Sequence, residues 1–508
     1  MTTTQMPPAQ KPAPPAPKQA HRKWLVAMAR RLHFYAAILV GPFILVSAIT
    51  GTLYAIGPNL DRLAYADQVY ADSTATNYTL AEQIDAAVAY RGYDENPTGV
   101  RPAPAPGENT RVLFNDDSVP DGYQLAVFVD PSTGEVAGTL PSYSTNNNLP
   151  ISAFLSKFHT NLGLGPIGNL YSEVAASWMW VIVLAGLVLW WFSPRRKRRK
   201  NDGVASSPSA ARVGSGAGKV PTPEAGAGMQ RKGRWTRKWF ARKHMMVGLA
   251  VSVVALGLSA TGLTWSTFAG DNISQLRQGA SWVAPKLNSV QPGSDAQEVA
   301  PNPHAEHGAS MGTGKTAAPF PGAVYQSVLD VARANGIKAD KLEIKPGAPG
   351  ETFTVVEQGR TWPAQADSIA IDAFSGQVVD YVSFDRDYPF GAKLSRWGID
   401  AHMGNLFGWV NQWVLILTGI GLTGMVIMGY IMWIKRRPTR GTAWVGAPFP
   451  RGALRQAPKP LVVIGGLLLV GLGIFLPVFG VTLAAFLLVD VIVAAVKRNR
   501  MKGTFVNS

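Results

Sequence analysis

The stretch His33-Phe-Tyr-Ala-Ala-Ile-Leu-Val-Gly-Pro-Phe-Ile-Leu-Val-Ser-Ala-Ile-Thr50-Gly51 decides how this chain is read. It lies within an uncharged run, Phe34–Ile56, of 23 residues. Such a run is long enough to cross a hydrocarbon layer of roughly 30 Å. Its outline also occurs twice: His33 precedes Thr50-Gly51 by 17 residues, and His244 precedes Thr261-Gly262 by the same 17. A second spacing agrees, since His159 precedes Gly165 by six residues and His402 precedes Gly408 by six. A third register comes from hydrophilic sequence, where Val129-Asp-Pro-Ser-Thr-Gly-Glu-Val136 aligns with Ile371-Asp-Ala-Phe-Ser-Gly-Gln-Val378. Three independent registers describe one unit, span–hydrophilic segment–span, used twice.

Working outward, the 508 residues are 47% hydrophobic and only 16% charged, against about a quarter charged in soluble domains. The net charge of +16 does not point to nucleic acid. Arg30–Arg31, Arg195–Lys200, Arg231–Lys243, Lys435–Arg440 and Lys497–Arg500 each abut an apolar run, as the positive-inside rule demands. The expected partner of that charge is membrane lipid. The expected order is a disordered cytoplasmic tail (1–24), span 1 (25–57), an outer domain (58–158), span 2 (159–193) and a cytoplasmic linker (194–240). Span 3 (241–266), a second outer domain with a flexible linker (267–400), span 4 (401–436) and a cytoplasmic loop (437–460) follow. Residues 461–496, interrupted by Pro477 and Gly480, read as a helical hairpin of spans 5 and 6, before a short tail (497–508).

The fold class is therefore an α-helical polytopic membrane protein of about six spans, with both termini cytoplasmic and two domains outside. A cleaved signal peptide is the competing reading of span 1, but the run exceeds a signal core and favours an uncleaved anchor. The capping box Thr79-Leu-Ala-Glu82 opens a short helix, and strand-like stretches follow at Arg111–Asn115 and Tyr123–Val129. The second segment repeats this as a helix near Ala323–Asn335 and strands at Lys341–Ile344, Thr352–Glu357 and Ser368–Ile371. Helix then strands, twice, predicts two small α+β domains.

There is no cysteine, which removes disulfides, thiol catalysis, thiolate iron–sulfur ligation and covalent c-type haem. Metal chemistry then falls to the seven histidines. His33 and His244 fall at the cytoplasmic ends of their spans, His159 and His402 near the outer face. Parallel repeats are related by a pseudo-twofold axis along the membrane normal, which would set His33 opposite His244 and His159 opposite His402. Opposed neutral imidazoles satisfy both axial positions of a haem iron, so the expected cofactors are two b-type haems, one at each face. The bland alternative is four histidines marking the membrane boundary. Ser47, Ala48, Thr50 and Gly51, echoed by Ser259, Ala260, Thr261 and Gly262, would let helices or a flat macrocycle approach closely.

Other features carry less. His304 and His307, in His-Ala-Glu-His near Met311, form a candidate metal site within the second linker. Trp178, Trp180, Trp397, Trp409 and Trp413 read as an interfacial belt. Asp490, within the last apolar tract, reads as an interface-reaching carboxylate, with proton carriage as its alternative. Gly312-Thr-Gly-Lys-Thr316 lacks the first glycine of a phosphate loop, and no dinucleotide fingerprint occurs.

The Asp-x-x-[Ser/Thr]-Gly-x-Val turns at Asp130–Val136 and Asp372–Val378 look like those of PepSY domains. The runs His33 to Gly51 and His159 to Gly168, with their second copies, resemble the PepSY-associated transmembrane family, over roughly residues 25–195 and 240–440. Members of this family are often iron-regulated, and some resemble bacterial siderophore reductases that carry b-type haem. The resemblance implies reduction of a ferric siderophore or other ferric complex at the outer face of a bacterial inner membrane. Electrons would enter at His33/His244 and leave at His159/His402. With no nucleotide site in the chain, the donor would be a separate cytoplasmic reductase or a quinol. Lys157, Lys393 and Arg396 would balance haem propionates, attract an anionic chelate, or simply form a positive rim. The alternatives are a PepSY-based regulatory or binding protein, acting by peptidase inhibition or sensing, and a transporter of iron, siderophore or haem.

Overall fold

The computed structural model describes residues 17–92, 96–144, 148–193, 235–291, 320–436, 449 and 451–506. His304 and His307 lie outside them, as do most of the two Gly/Pro-rich linkers. In chain order, helix α1 (Pro17–Ala64) leads through α2 (Ala66–Val69) and α3 (Leu80–Arg91) to strands β1 (Gly99–Arg101), β2 (Thr110–Phe114), β3 (Tyr123–Val129) and β4 (Val136–Tyr143). Helices α4 (Pro150–Asn161), α5 (Gly165–Trp191), α6 (Arg237–Thr264), α7 (Thr267–Gly279) and α8 (Gly322–Ala334) follow. Strands β5 (Leu342–Lys345), β6 (Phe353–Glu357), β7 (Ser368–Ile371) and β8 (Val378–Val382) precede α9 (Phe384–Asp387), α10 (Phe390–His402), α11 (Gly408–Ile434), α12 (Lys459–Phe475) and α13 (Pro477–Val506).

Five of these helices are long and apolar enough to cross a membrane by length and composition: α1, α5, α6, α11 and α13. The expected break in the last tract falls at Leu476, just before Pro477, whose ring cannot continue a helix. It leaves α12 as an apolar-rich helix of 17 residues, shorter than the other five. Helix α1 packs against α5 and α11, and α6 packs against the same two. The four thus form a ring in which α1 and α6 face each other across a diagonal. Their outer faces are apolar and open, as at Val253 (79% exposed) and Leu417 (61%).

The strands read as two domains join into one eight-stranded sheet of order β4-β3-β2-β1-β5-β6-β7-β8. The seam is the antiparallel pairing of β1 with β5 at Val100↔Ile344. One face carries α3 and α8 side by side over a shared core that includes Ile84, Val112, Tyr325 and Ile344. The helices meet tightly at Gly322, where a Cβ would stand 2.2 Å from the Ala81 carbonyl oxygen. Thr79 and Glu82 form the expected reciprocal cap on α3. The two aligned turns have the same construction. Gly134 and Gly376 adopt φ of +73° and +70°, their amides donate to Asp130 and Asp372 carbonyls at 2.8 Å, and each turn follows a bulge, at Phe128/Val129 and Ala370/Ile371. The opposite face of the sheet looks toward the end of the helix ring, where α4 and α10 lie.

Candidate functional site

The four histidines of the repeated register all lie inside or at the end of the ring. His33 on α1 and His244 on α6 meet across the diagonal, with ring centroids 6.1 Å apart and planes nearly perpendicular at 83°. His159 on α4 and His402 on α10 sit at the sheet-side end, close enough that His159 is felt electrostatically by His402. Their hydrogen-bond partners, Thr50 and Thr261, lie 17 residues along α1 and α6 from His33 and His244. At 1.5 Å per residue this separates the two levels by about 25 Å.

The partners of the imidazoles fix their chemistry. His33 Nδ1 donates to the Ile182 carbonyl at 2.8 Å, and His244 Nδ1 to the Met425 carbonyl at 3.1 Å. Ile182 stands four residues before Gly186, and Met425 four before Gly429. A glycine one turn on leaves these carbonyls uncovered, and the second lone pair of each is free to accept. At the other level, His159 Nδ1 contacts Thr50 Oγ1 at 3.0 Å and His402 Nδ1 contacts Thr261 Oγ1 at 2.6 Å. Both hydroxyls already donate to their own helix, Thr50 to Val46 at 2.8 Å and Thr261 to Gly257 at 2.7 Å. They therefore accept from the imidazoles. All four rings carry their proton on Nδ1, and no Nε2 has a hydrogen-bond partner among the described residues. This is the tautomer a metal-ligating histidine adopts when its other nitrogen is held by a carbonyl or hydroxyl.

His159 and His402 are both half-buried. Aromatics occupy equivalent positions beside the two: Tyr54 stacks on His159 with centroids at 6.3 Å, and Trp265 meets His402 edge-on at 5.0 Å. Gly51 makes room for the first, a Cβ there standing 3.0 Å from His159 Cε1. The far pair brings two imidazoles, each with Nε2 unclaimed among the described residues, to within 6.1 Å of one another, a donor set that would suit two ligands of one metal ion. Among the described residues no group of three or more histidines and carboxylates stands together, so pairs are the ligand sets on offer.

Several other residues find different roles from those expected. Trp178 is 3% exposed and donates to Thr482 on α13 at 2.8 Å, so it packs the last span instead of belonging to a belt. Trp397 packs against Trp362, while Trp409 and Trp413 are open at 74% and 55%. Lys157 lies over Tyr123 and Tyr143, and Lys393 donates to the Asp385 carbonyl; neither is a free rim charge. Arg396 instead pairs with Asp400 at 2.9 Å, two residues from His402. Asp490 is held by Arg31 at 2.5 Å and Arg451 at 2.9 Å, which ties α13 to α1. Glu173, 1% exposed, accepts from the Phe268 and Ala269 amides and so caps α7. Sequence reasoning missed Arg360, whose guanidinium reaches Asp400 at 3.8 Å and Met403 Sδ at 3.2 Å. It lies in an irregular loop after β6, where no periodicity marks it.

A ring of apolar helices with two imidazoles in contact inside it and two more at its sheet-side end, next to a hydrophilic α+β sheet, defines a multi-pass membrane protein. The chain belongs to the family described as PepSY-associated TM region, which it matches over residues 30–436. No curated protein matches it.

Proposed function

We propose that this protein is a transmembrane electron conduit holding two b-type haems, one between His33 and His244 and one between His159 and His402. The observation that carries this reading is the shared state of the four imidazoles, each anchored through Nδ1 and each with Nε2 unclaimed among the described residues. Boundary histidines have no reason to repeat that arrangement four times. The matching contacts, His33–Ile182 with His244–Met425 and His159–Thr50 with His402–Thr261, favour two copies of one unit as their source. Bundle interiors are where facing helices build cofactor sites.

The haems would supply reversible one-electron transfer; the residues supply position, neutrality and a dry path. On this reading the His33/His244 end is cytoplasmic, since Arg31, Lys435 and Arg436 gather there, and the sheet lies outside a bacterial inner membrane. A cytoplasmic reductase or quinol gives up one electron, and a ferric siderophore or other ferric complex outside accepts it and becomes ferrous. A solute pathway is less favoured, because the buried carboxylates of the spans among the described residues, Asp61 and Glu173, are each occupied as a helix cap, on α4 and α7.

The test is spectroscopic. Protein purified in detergent should show reversible b-type spectra on dithionite reduction, with two haems per chain by pyridine haemochrome. His33→Ala and His244→Ala should remove one and the same haem, His159→Ala and His402→Ala the other. A chain that stays colourless after haem supplementation would sink this reading and turn attention to a protein partner of the sheet.

A further inference from the structure

The face of the sheet turned toward the helix ring is charged at a place where burial makes charge costly. Val100 and Val112 point into the core under α3 and α8, so their neighbours Arg101 and Arg111 occupy the other face. The two arginines are direct cross-strand partners on β1 and β2, a placement of like charges that destabilises a sheet. Arg101 is answered by Glu343 across the seam at 2.6 Å. Arg111 is not: its guanidinium lies over the Phe128 ring at 5.3 Å and has no hydrogen bond or ion pair among the described residues. Burial, and then Arg101, hold it down to about 10.

Further cations share this space. Lys341, the residue just before β5 and two from Glu343, is exposed and its ammonium is likewise unpaired among the described residues. It is depressed by desolvation and by Arg62; Glu108, itself paired with Arg62, opposes this, and Arg111 and Arg360 add to the depression. Arg360 bridges from the sheet to α10 through Asp400 and keeps 30% of its side chain accessible. It is felt by Tyr54, the residue stacked on His159. Two cations without a hydrogen bond or ion pair among the described residues, on one face of the sheet and joined by a partly accessible third, are the arrangement an anion relieves.

We propose that Arg111, Lys341 and Arg360 together form a binding site for a multiply charged anion. On the electron-conduit reading, on which this role rests, the anion is the ferric complex brought over the His159/His402 pair. Arg101, Arg396 and their carboxylates frame the site, and the two unpaired cations give it its charge.

Titration calorimetry on the full chain in detergent tests this, with ferric citrate as the anionic probe and a cationic ferric hydroxamate as counter-probe. Ferric citrate should bind saturably and more weakly at high salt, the cationic chelate should not compete, and Arg111→Gln and Lys341→Gln should each weaken binding about tenfold with haem content unchanged. Lys341 is exposed, so its variant reports even where Arg111→Gln perturbs folding. Unchanged affinity in Lys341→Gln, or lost haem with citrate binding retained, would overturn the proposal, the latter showing that the cations serve haem propionates. Binding requires no electron, so this result stands apart from the haem assay that decides the conduit.

Discussion

The two histidine levels do the same task with different parts. His33 and His244 sit on the spanning helices themselves and lean on backbone carbonyls, Ile182 and Met425. His159 and His402 sit on the short helices α4 and α10 and lean on threonine hydroxyls. A carbonyl within a packed helix cannot turn away, whereas a hydroxyl can rotate and a short helix can shift. The far level is thus fixed by the bundle, and the sheet-side level is adjustable and adjoins the charged face of the sheet. That division suits a conduit whose inner station only relays and whose outer station meets a partner.

The largest effect that could break this comparison comes from the ligands. If the levels are separate, His33→Ala should abolish one haem and leave the spectrum and potential of the other within error, and His402→Ala should do the converse. Redox titration of the two variants checks it. If His33→Ala instead removes both haems, the two levels depend on each other and the contrast between a fixed and an adjustable station fails.

The parts of this arrangement differ in how far the sequence revealed them. The spanning helices are legible because an apolar run of bilayer length must satisfy its backbone internally, and a helix is how a single segment does so. The 17- and six-residue spacings single out all four histidines without any knowledge of their contacts. The anchors of the far pair are hidden, because a backbone carbonyl has no sequence signature; only the glycines at 186 and 429 hint at it. The joining of the two sheets is hidden for a similar reason. Strand β1 has three residues, Gly99–Arg101, too few for an alternating pattern, and its pairing with β5 joins Val100 to the distant Ile344. Arg101 and Glu343 look like ordinary surface charges until that seam sets them together. The candidate metal ligands His304 and His307 fall outside the described residues.

A smaller effect sharpens the contrast between anchors. Thr50→Val and Thr261→Val keep side-chain shape and remove the acceptor for Nδ1–H. Losing such a partner typically weakens metal affinity about 10- to 100-fold, and leaves the buried N–H unsatisfied. Each variant should therefore lower occupancy of the sheet-side haem at limiting haem supply, with the far haem unaffected. Haem titration followed at both Soret components measures it. Equal loss from both levels would mean the threonines support the bundle and not the ring beside them.

The smallest effect concerns the two halves of the chain and not the two levels. At Gly186 an added Cβ would stand 3.1 Å from His33 Cε1, while at the equivalent Gly429 it would meet nothing within 4 Å. The same asymmetry recurs at the other level, with 3.0 Å from Gly51 to His159 and 3.8 Å from Gly262 to His402. Both histidines of the first half are thus tightly seated, and both of the second have slack. Gly186→Ala should press on the His33 ring and reduce occupancy of the far haem by less than about tenfold, below the loss from a missing anchor. Gly429→Ala should be indistinguishable from the unaltered protein. On the proposed reading the difference matters because one tight and one loose ligand would let a macrocycle enter from the loose side without unfolding the bundle. Comparing haem association rates of the two variants decides it: slower entry in Gly429→Ala than in Gly186→Ala would reverse the assignment of the flexible half.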